Sequence, residues 1–455
     1  MDPLTSPLLT DLYQLNMVQA YLDNGMGEIA VFEFFSRRLP KQRRFLMAAG
    51  LEQALGFLET VRFGADEIGW LAASGRFDRR FLDYVAAFRF SGDVDAMAEG
   101  TIFFADEPIL RVTAPIAEAQ LVETRLINLL HLQSLIAAKA ARMVLAAEGR
   151  VLIDFGLRRA HGAEAGLHAA RAAYIAGFAG SASVLAAPAF GVPLYGTMAH
   201  SYVQAHASES EAFLSFARSR PRDLVLLIDS YDTEAGARRV VALAPRLASE
   251  GIAVRGVRLD SGDLGWHARQ VRAILDAGGL EAVRIFASGG VDERKIARFV
   301  ADGAPIDGFG VGTSLVTSQD APALDCAYKL QAYAGRPRRK RSESKATWPG
   351  AKQVFRHYEA CGRMAADVIS VATDRQPGRP LLIPVMRGGR RLAAAPSLSE
   401  IRAHAAAELA GLPEDLRGLD DVEAGVTPYG VEIAPALRRL AEIADEELEQ
   451  AAAAP

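Results

Sequence analysis

A parallel α/β sheet, open or closed, is the fold class that the sequence predicts for the middle of this chain, and three observations predict it. Short apolar runs of strand length recur at 151–155, 224–228, 254–259, 284–287 and 308–311. Segments with helical periodicity, such as 163–178, 233–250 and 264–277, mostly separate them, and alternation of this kind builds parallel sheets. Polar residues and glycines gather just beyond the carboxyl ends of the runs, which is where sites lie in open and closed parallel sheets alike.

Taken in order, residues 8–115 mix a helix at 11–24, a strand at 29–35, a helix at 50–61 and a strand-like stretch at 101–112, an α+β pattern. Residues 116–147 read as one long helix. They are rich in Ala, Leu, Ile and Gln, contain no proline, and are followed by Gly149 where a helix would stop. The rhythmic region then opens at 151, with a further short strand expected at 183–187. Beyond about 320 come a basic run, strand-like 352–358 and 367–372, and helices at 397–410 and 435–452. The expected organisation is an N-terminal domain at 1–115, a linking helix at 116–150, a site-bearing α/β domain at 151–325 and a C-terminal subdomain at 326–455.

The composition excludes several classes of function. Half of the 455 residues are hydrophobic and 23% are charged, with 51 basic against 55 acidic residues and a net charge of -4. That balance offers no general footprint for nucleic acid or an anionic membrane. The two cysteines, Cys326 and Cys361, support neither a disulfide framework nor a thiolate zinc site. The first residues lack the basic start and apolar core of a signal peptide, and no run of about 18 uncharged apolar residues occurs. A cytoplasmic location is the expectation.

Chemistry concentrates at the strand ends. Ser288, Gly289 and Gly290 follow one apolar run, and Gly310, Gly312 and Thr313 end or follow the next. Backbone N–H groups at glycines can approach phosphate oxygens closely, and barrels of this type commonly bind phosphate after their last strands. Arg258, Asp260, Ser261 and Asp263 surround a tight turn. Asp263 suits a helix cap, whereas Arg258 and Asp260 suit a sugar phosphate: a guanidinium grips an anion, and a carboxylate meets a ribose hydroxyl or Mg²⁺-bound water. Asp154, Phe155, Arg158 and Arg159 offer an aromatic face beside cations, fit for a flat anionic ring. Asp229 and Asp232 close another strand.

His200, in Gly-Thr-Met-Ala-His after Thr197, is a candidate nucleophile or proton carrier, with His206 as its nearest decoy. No His-x-x-x-His or Cys-x-x-Cys spacing is convincing, so a zinc site is disfavoured. The basic run at 336–345 reads as a loop able to meet a polyphosphate as readily as a nucleic-acid patch.

These segments, in this order, resemble nicotinate phosphoribosyltransferases over nearly the whole chain. The match is carried by Thr-Asp-Leu-Tyr-Gln at 10–14, Asp-Phe-Gly-Leu-Arg-Arg-Ala-His at 154–161, Gly-Thr-Met-Ala-His-Ser at 196–201, Arg-Leu-Asp-Ser-Gly-Asp-Leu at 258–264, Ser-Gly-Gly at 288–290 and Gly-Val-Gly-Thr-Ser at 310–314. The resemblance implies an incomplete, irregular TIM-like α/β barrel with an N-terminal α+β domain and a small C-terminal subdomain. It also implies a homodimer in which Tyr13 reaches the neighbouring subunit's pocket. By the same carry-over, Tyr13, Phe155, Arg158, Thr197 and Arg258 would hold nicotinate. Ser288, Gly289, Gly290, Gly310, Gly312 and Thr313 would hold phosphoribosyl pyrophosphate, and Asp260 its ribose or Mg²⁺. His200 would be phosphorylated by ATP, in the salvage of nicotinate for NAD. The related enzymes acting on nicotinamide use an acidic residue in a Gly-Thr-Asp-like segment. Here 180–184 reads Gly-Ser-Ala-Ser-Val, with no carboxylate to repel an acid. A nicotinamide-using relative and a non-catalytic nucleotide-binding barrel are the alternatives.

Overall fold

The computed structural model describes residues 2–343, 345–419 and 429–453. The chain forms two compact units, Lys139–Pro322 and the combination of Met1–Ala138 with Ala323–Pro455.

The unit Lys139–Pro322 carries a six-stranded, wholly parallel sheet in the order Gly180–Ser181, Val151–Asp154, Gly308–Val311, Arg284–Ala287, Val254–Leu259 and Leu224–Leu227. It curls into a half-barrel. The two outer strands do not pair with each other, so the barrel is incomplete. The helices Ala163–Ala176, Thr233–Ser249, Leu264–Ala277 and Glu293–Ala301 lie between its strands in sequence. Strand alternation separates the two faces. Val257, Leu259, Ile285, Ala287, Phe309 and Val311 are all fully buried, while Gly256, Arg258, Arg284, Phe286, Gly308 and Gly310 take the other face in register.

The expected strand at 183–187 does not form. The sheet is extended by the two-residue strand Gly180–Ser181, and Ala186–Phe190 is a short helix. A brief apolar run does not distinguish strand from helix. Here Gly180 is required, because a Cβ would lie 2.2 Å from the Pro193 carbonyl oxygen. At the base of the unit, buried Lys139 is neutralised by Glu293 at 2.7 Å and Asp320 at 2.9 Å.

The other unit has a seven-stranded antiparallel sheet in the order Arg336–Pro337, Cys326–Tyr333, Ile29–Ser36, Pro108–Pro115, Asp93–Ala96, Ile383–Arg387 and Arg390–Arg391. Both ends of the sequence therefore contribute to one sheet. A four-stranded sheet, Arg379–Pro380, Lys352–Tyr358, Met364–Val371 and Gly430–Ile433, contains buried Arg356, which bonds Asp367 on the neighbouring strand and Glu408. Glu107, buried near the Asp367 carboxylate, has its pKa pushed well above the ordinary range, chiefly by burial.

The long helix appears as Ile116–Leu121 followed by Glu123–Ala147. The second piece is long and apolar enough to cross a membrane, yet most of it is buried in the protein. The basic run is not free: Arg338, Arg339 and Arg341 pair with Glu447, Asp445 and Glu449 of the helix Pro435–Ala453, and Arg339 also lies over the Trp348 ring.

Candidate active site

The carboxyl ends of the half-barrel strands bring most of the sequence-predicted residues together. Phe155 follows its strand directly, and Gly310 makes room for it: a Cβ there would sit 2.5 Å from the ring. Arg258 lies over the Phe155 face at 5.7 Å from its centroid, a cation–π distance. One guanidinium nitrogen of Arg258 donates to Thr197 Oγ1 at 2.7 Å, while its buried Nε has no protein partner. Burial lowers the Arg258 pKa from its ordinary value, and the neighbouring Arg158 adds to that, opposed by Asp260 and Asp229. A guanidinium partly stripped of water, with an unpaired N–H, is a receptor for an anion.

These residues wall a cavity of about 640 Å³ with Ile153, Gly196, Phe286 and Ala287 among its other lining residues. Arg158 and Arg159 stand exposed on the turn Leu157–Arg159, which follows Phe155 in sequence. Asp154 points away into the protein, accepting hydrogen bonds from Ser181 Oγ at 2.6 Å and Gly156 N–H at 2.8 Å. Its pKa is raised by burial, against the effect of those two donors. Ser181 of the neutral 180–184 segment is thus engaged by a carboxylate that sequence reading did not connect to it.

His200 opens the short helix His200–Gln204. Its Nδ1 is 3.1 Å from Ser230 Oγ, and its Nε2 faces Asp260 Oδ2 at 3.8 Å and Asp229 Oδ1 at 3.9 Å. Asp229 is the organising residue. Its Oδ2 accepts from the Asp260 N–H at 2.8 Å and from Ser261 Oγ at 2.7 Å, and its buried Oδ1 has no hydrogen-bond partner. Ser288 Oγ donates to Asp260 Oδ1, joining the next strand end to the group. Asp229 was visible in the sequence only as one of two acids closing a strand; the other, Asp232, caps the helix Thr233–Ser249. Asp263 likewise caps the following helix, as expected. His206 bonds the Tyr202 carbonyl oxygen.

Gly289 and Gly290 have φ of +91° and +62°. At Gly289 a Cβ would lie 2.0 Å from the Asp260 carbonyl oxygen, so only glycine lets these two strand-end loops touch. Gly312 precedes the single helical turn Thr313–Val316, on which Thr313 is exposed and Ser314 Oγ is buried without a partner. Gly310, expected beside phosphate, lies under the Phe155 ring. Tyr13 belongs to the other unit, on the helix Leu12–Asp23, where it is 47% exposed. Its pKa is pushed up to about 12 by partial burial and by Glu123. Among the described residues, no group of three or more His, Cys, Asp or Glu side chains is placed to hold a metal.

Comparison with known proteins adds to this geometry. Residues 8–131 match the family model of the nicotinate phosphoribosyltransferase N-terminal domain, and residues 151–335 that of the nicotinate phosphoribosyltransferase family. The chain is 49% identical over 438 residues to the nicotinate phosphoribosyltransferase pncB2 of Mycobacterium tuberculosis, covering 96% of this chain and 93% of the relative. It is 40% identical over 357 residues to the nicotinate phosphoribosyltransferase of Bacillus subtilis, covering 77% and 72%. The crystal structure of human nicotinic acid phosphoribosyltransferase matches the fold with a TM-score of 0.85 at 30% identity, covering 95% of this chain and 99% of that one.

Proposed function

Because the chain belongs to the nicotinate phosphoribosyltransferase family, a family of enzymes, we propose that it joins nicotinate to the ribosyl carbon of phosphoribosyl pyrophosphate, releasing pyrophosphate. The observation that carries this reading is Arg258, held by Thr197 over the Phe155 face with its Nε unpaired. A flat aromatic acid fits that arrangement: the ring stacks on Phe155 and the carboxylate meets the guanidinium.

The pyridine nitrogen then attacks C1 of the ribose. The N–C bond forms as the C–O bond to pyrophosphate breaks, and the leaving group carries away the electron pair. The ring nitrogen already bears a lone pair, so no general base is required. Ser288, Gly289, Gly290, Gly312 and Thr313 cradle the phosphate end of the donor through N–H and hydroxyl groups, and Asp260 orients its ribose. Half-exposed Asp260 and Asp229, with its unpaired buried oxygen, fit the one or two carboxylates by which Mg²⁺ on substrate phosphates is held. When bound, the ion supplies positive charge at the departing pyrophosphate.

ATP enters this scheme through His200. In the tautomer that donates its Nδ1–H to Ser230 Oγ, the lone pair lies on Nε2, which faces Asp229 and Asp260. The terminal phosphoryl group passes from ATP to Nε2, ADP leaves, and water later hydrolyses the phosphohistidine. The enzyme acts as a cytoplasmic homodimer, Tyr13 completing the pocket of the neighbouring subunit, in the salvage of nicotinate for NAD. Product analysis with nicotinate and with nicotinamide, each with and without ATP, tests the reading. Nicotinate mononucleotide formed faster with ATP is expected. Equal or faster turnover of nicotinamide would overturn the substrate assignment, and an ATP-independent yield the coupling.

A further inference from the structure

A phosphate monoester carries a charge of about -1.5 to -2 at pH 7, and backbone N–H groups answer it only with partial charges. The loop at 288–290 is open to such an anion. Gly289 and Gly290 are exposed, and among the described residues their N–H groups donate to no protein acceptor. Two carboxylates border the loop and oppose an anion there: Asp260 accepts from Ser288 Oγ, and Asp292 caps the helix that follows. Like charges at close range repel, so a phosphate held by this loop needs a cation beside it.

Lys295 brings that charge. It stands in the first turn of the helix Glu293–Ala301, and its side chain turns back to the loop, where Nζ donates to the Gly290 carbonyl oxygen at 2.7 Å. A Cβ on Gly290 would lie 3.4 Å from the same nitrogen, so the ammonium rests against the open side of this glycine. The residue is exposed, and among the described residues its side chain has no carboxylate partner. An ammonium carries three N–H donors. One is used on the loop, and the others remain for a ligand.

We propose that Lys295 is a substrate-binding residue of this site, neutralising the 5-phosphate of phosphoribosyl pyrophosphate, the phosphate that stays on the product. The proposal rests on the phosphoribosyltransferase reading above. In that reading the pyrophosphate end has Mg²⁺ to offset its charge, whereas the 5-phosphate takes its cation from the protein. The 5-phosphate neither makes nor breaks a bond in the reaction, so a contact to it sets the affinity for the donor and leaves the chemical step alone.

Steady-state kinetics of the full-length enzyme and its variants Lys295→Met and Lys295→Arg test it, with ribose 5-phosphate and pyrophosphate as inhibitors. Methionine keeps much of the reach and loses the charge; arginine keeps the charge. At an exposed position a hydrogen bond to a charged group lies at the low end of its range, about tenfold in affinity. Lys295→Met should therefore raise the KM for phosphoribosyl pyrophosphate and the inhibition constant of ribose 5-phosphate by about tenfold at low salt and by less at high salt. The kcat, the KM for nicotinate and the inhibition constant of pyrophosphate should stay as in the wild type, and Lys295→Arg should recover most of the loss. An unchanged donor KM in Lys295→Met would overturn the proposal. Equal losses in both variants would do the same, marking Lys295 as a brace of the loop, and so would weakened inhibition by pyrophosphate in place of ribose 5-phosphate. Calorimetric titration with ribose 5-phosphate reads the contact without turnover. An unmodified enzyme that binds ribose 5-phosphate through Lys295 yet makes no nicotinate mononucleotide would refute the functional reading and leave the contact standing.

Discussion

Replacing Arg258 by Gln removes the positive charge from the cavity and leaves a shorter, neutral amide that ends near the position of Nε, short of the nitrogen that bonds Thr197. In the wild-type enzyme Arg258 has one N–H on Thr197 at 2.7 Å and a buried, unpaired Nε, so a carboxylate placed over Phe155 gains a charge-assisted contact. A hydrogen bond to a charged group contributes about 1.5–3 kcal/mol, and a guanidinium fork on a carboxylate lies toward the upper end. Taking about 3 kcal/mol, with each 1.4 kcal/mol worth tenfold, Arg258→Gln should lower kcat/KM for nicotinate by roughly a hundredfold. Nicotinamide carries no charge and should lose far less, so the ratio of the two specificity constants is the informative quantity. The assay is product formation at saturating phosphoribosyl pyrophosphate with each pyridine in turn. Equal losses on the acid and the amide would refute the reasoning, because they would show that Arg258 supports the pocket without reading the carboxylate.

Three further outcomes follow from the structure. His200→Ala should abolish ATP hydrolysis coupled to synthesis and leave a slower, ATP-independent reaction; full coupled hydrolysis in the variant would remove His200 from that role. Gly289→Ala places a Cβ 2.0 Å from the Asp260 carbonyl oxygen at a φ of +91°. Strain of about 2 kcal/mol should lower the Tm by roughly 4–8 °C and raise the KM for phosphoribosyl pyrophosphate, and an unchanged melting curve would count against this loop contact. Glu107 has a folded-state pKa well above its ordinary 4.5, through burial and then through Asp367. Its stabilising contribution is complete below the unfolded value and is lost as pH rises through the folded one. Glu107→Gln should therefore gain stability relative to wild type as pH increases above about 4.5, as urea unfolding at several pH values will reveal; parallel stability profiles would contradict it.

Much of the half-barrel was legible in the sequence. The strands Val254–Leu259, Arg284–Ala287 and Gly308–Val311 and the helix Leu264–Ala277 occupy the residues that periodicity assigns to them. These are local decisions: an apolar run bounded by Gly, Asp or Ser signals its own ends. Capping by Asp263 was equally local, since the side chain bonds the N–H of Trp266 three residues on. The clusters Arg258–Asp260, Ser288–Gly290 and Asp154–Phe155 could be recognised as strand-end chemistry for the same reason, and the family resemblance assigned them substrates.

Sequence alone thus determined the α/β rhythm, the positions of the site-bearing loops and the residue types available there, because each depends on neighbours a few positions away. Tertiary structure decided which of those residues act together. Asp229 became the organiser of the His200 group only when the loop ending at residue 261 folded its Asp260 N–H and Ser261 hydroxyl onto one carboxylate oxygen. Gly310 gained a second neighbour as the floor under Phe155, and Ser181 was tied to Asp154 across neighbouring strands. Strand Cys326–Tyr333 joined Ile29–Ser36 across roughly two-thirds of the chain. Such pairings reflect sheet order and close packing between residues far apart in sequence, and those are properties that no local pattern of residues encodes.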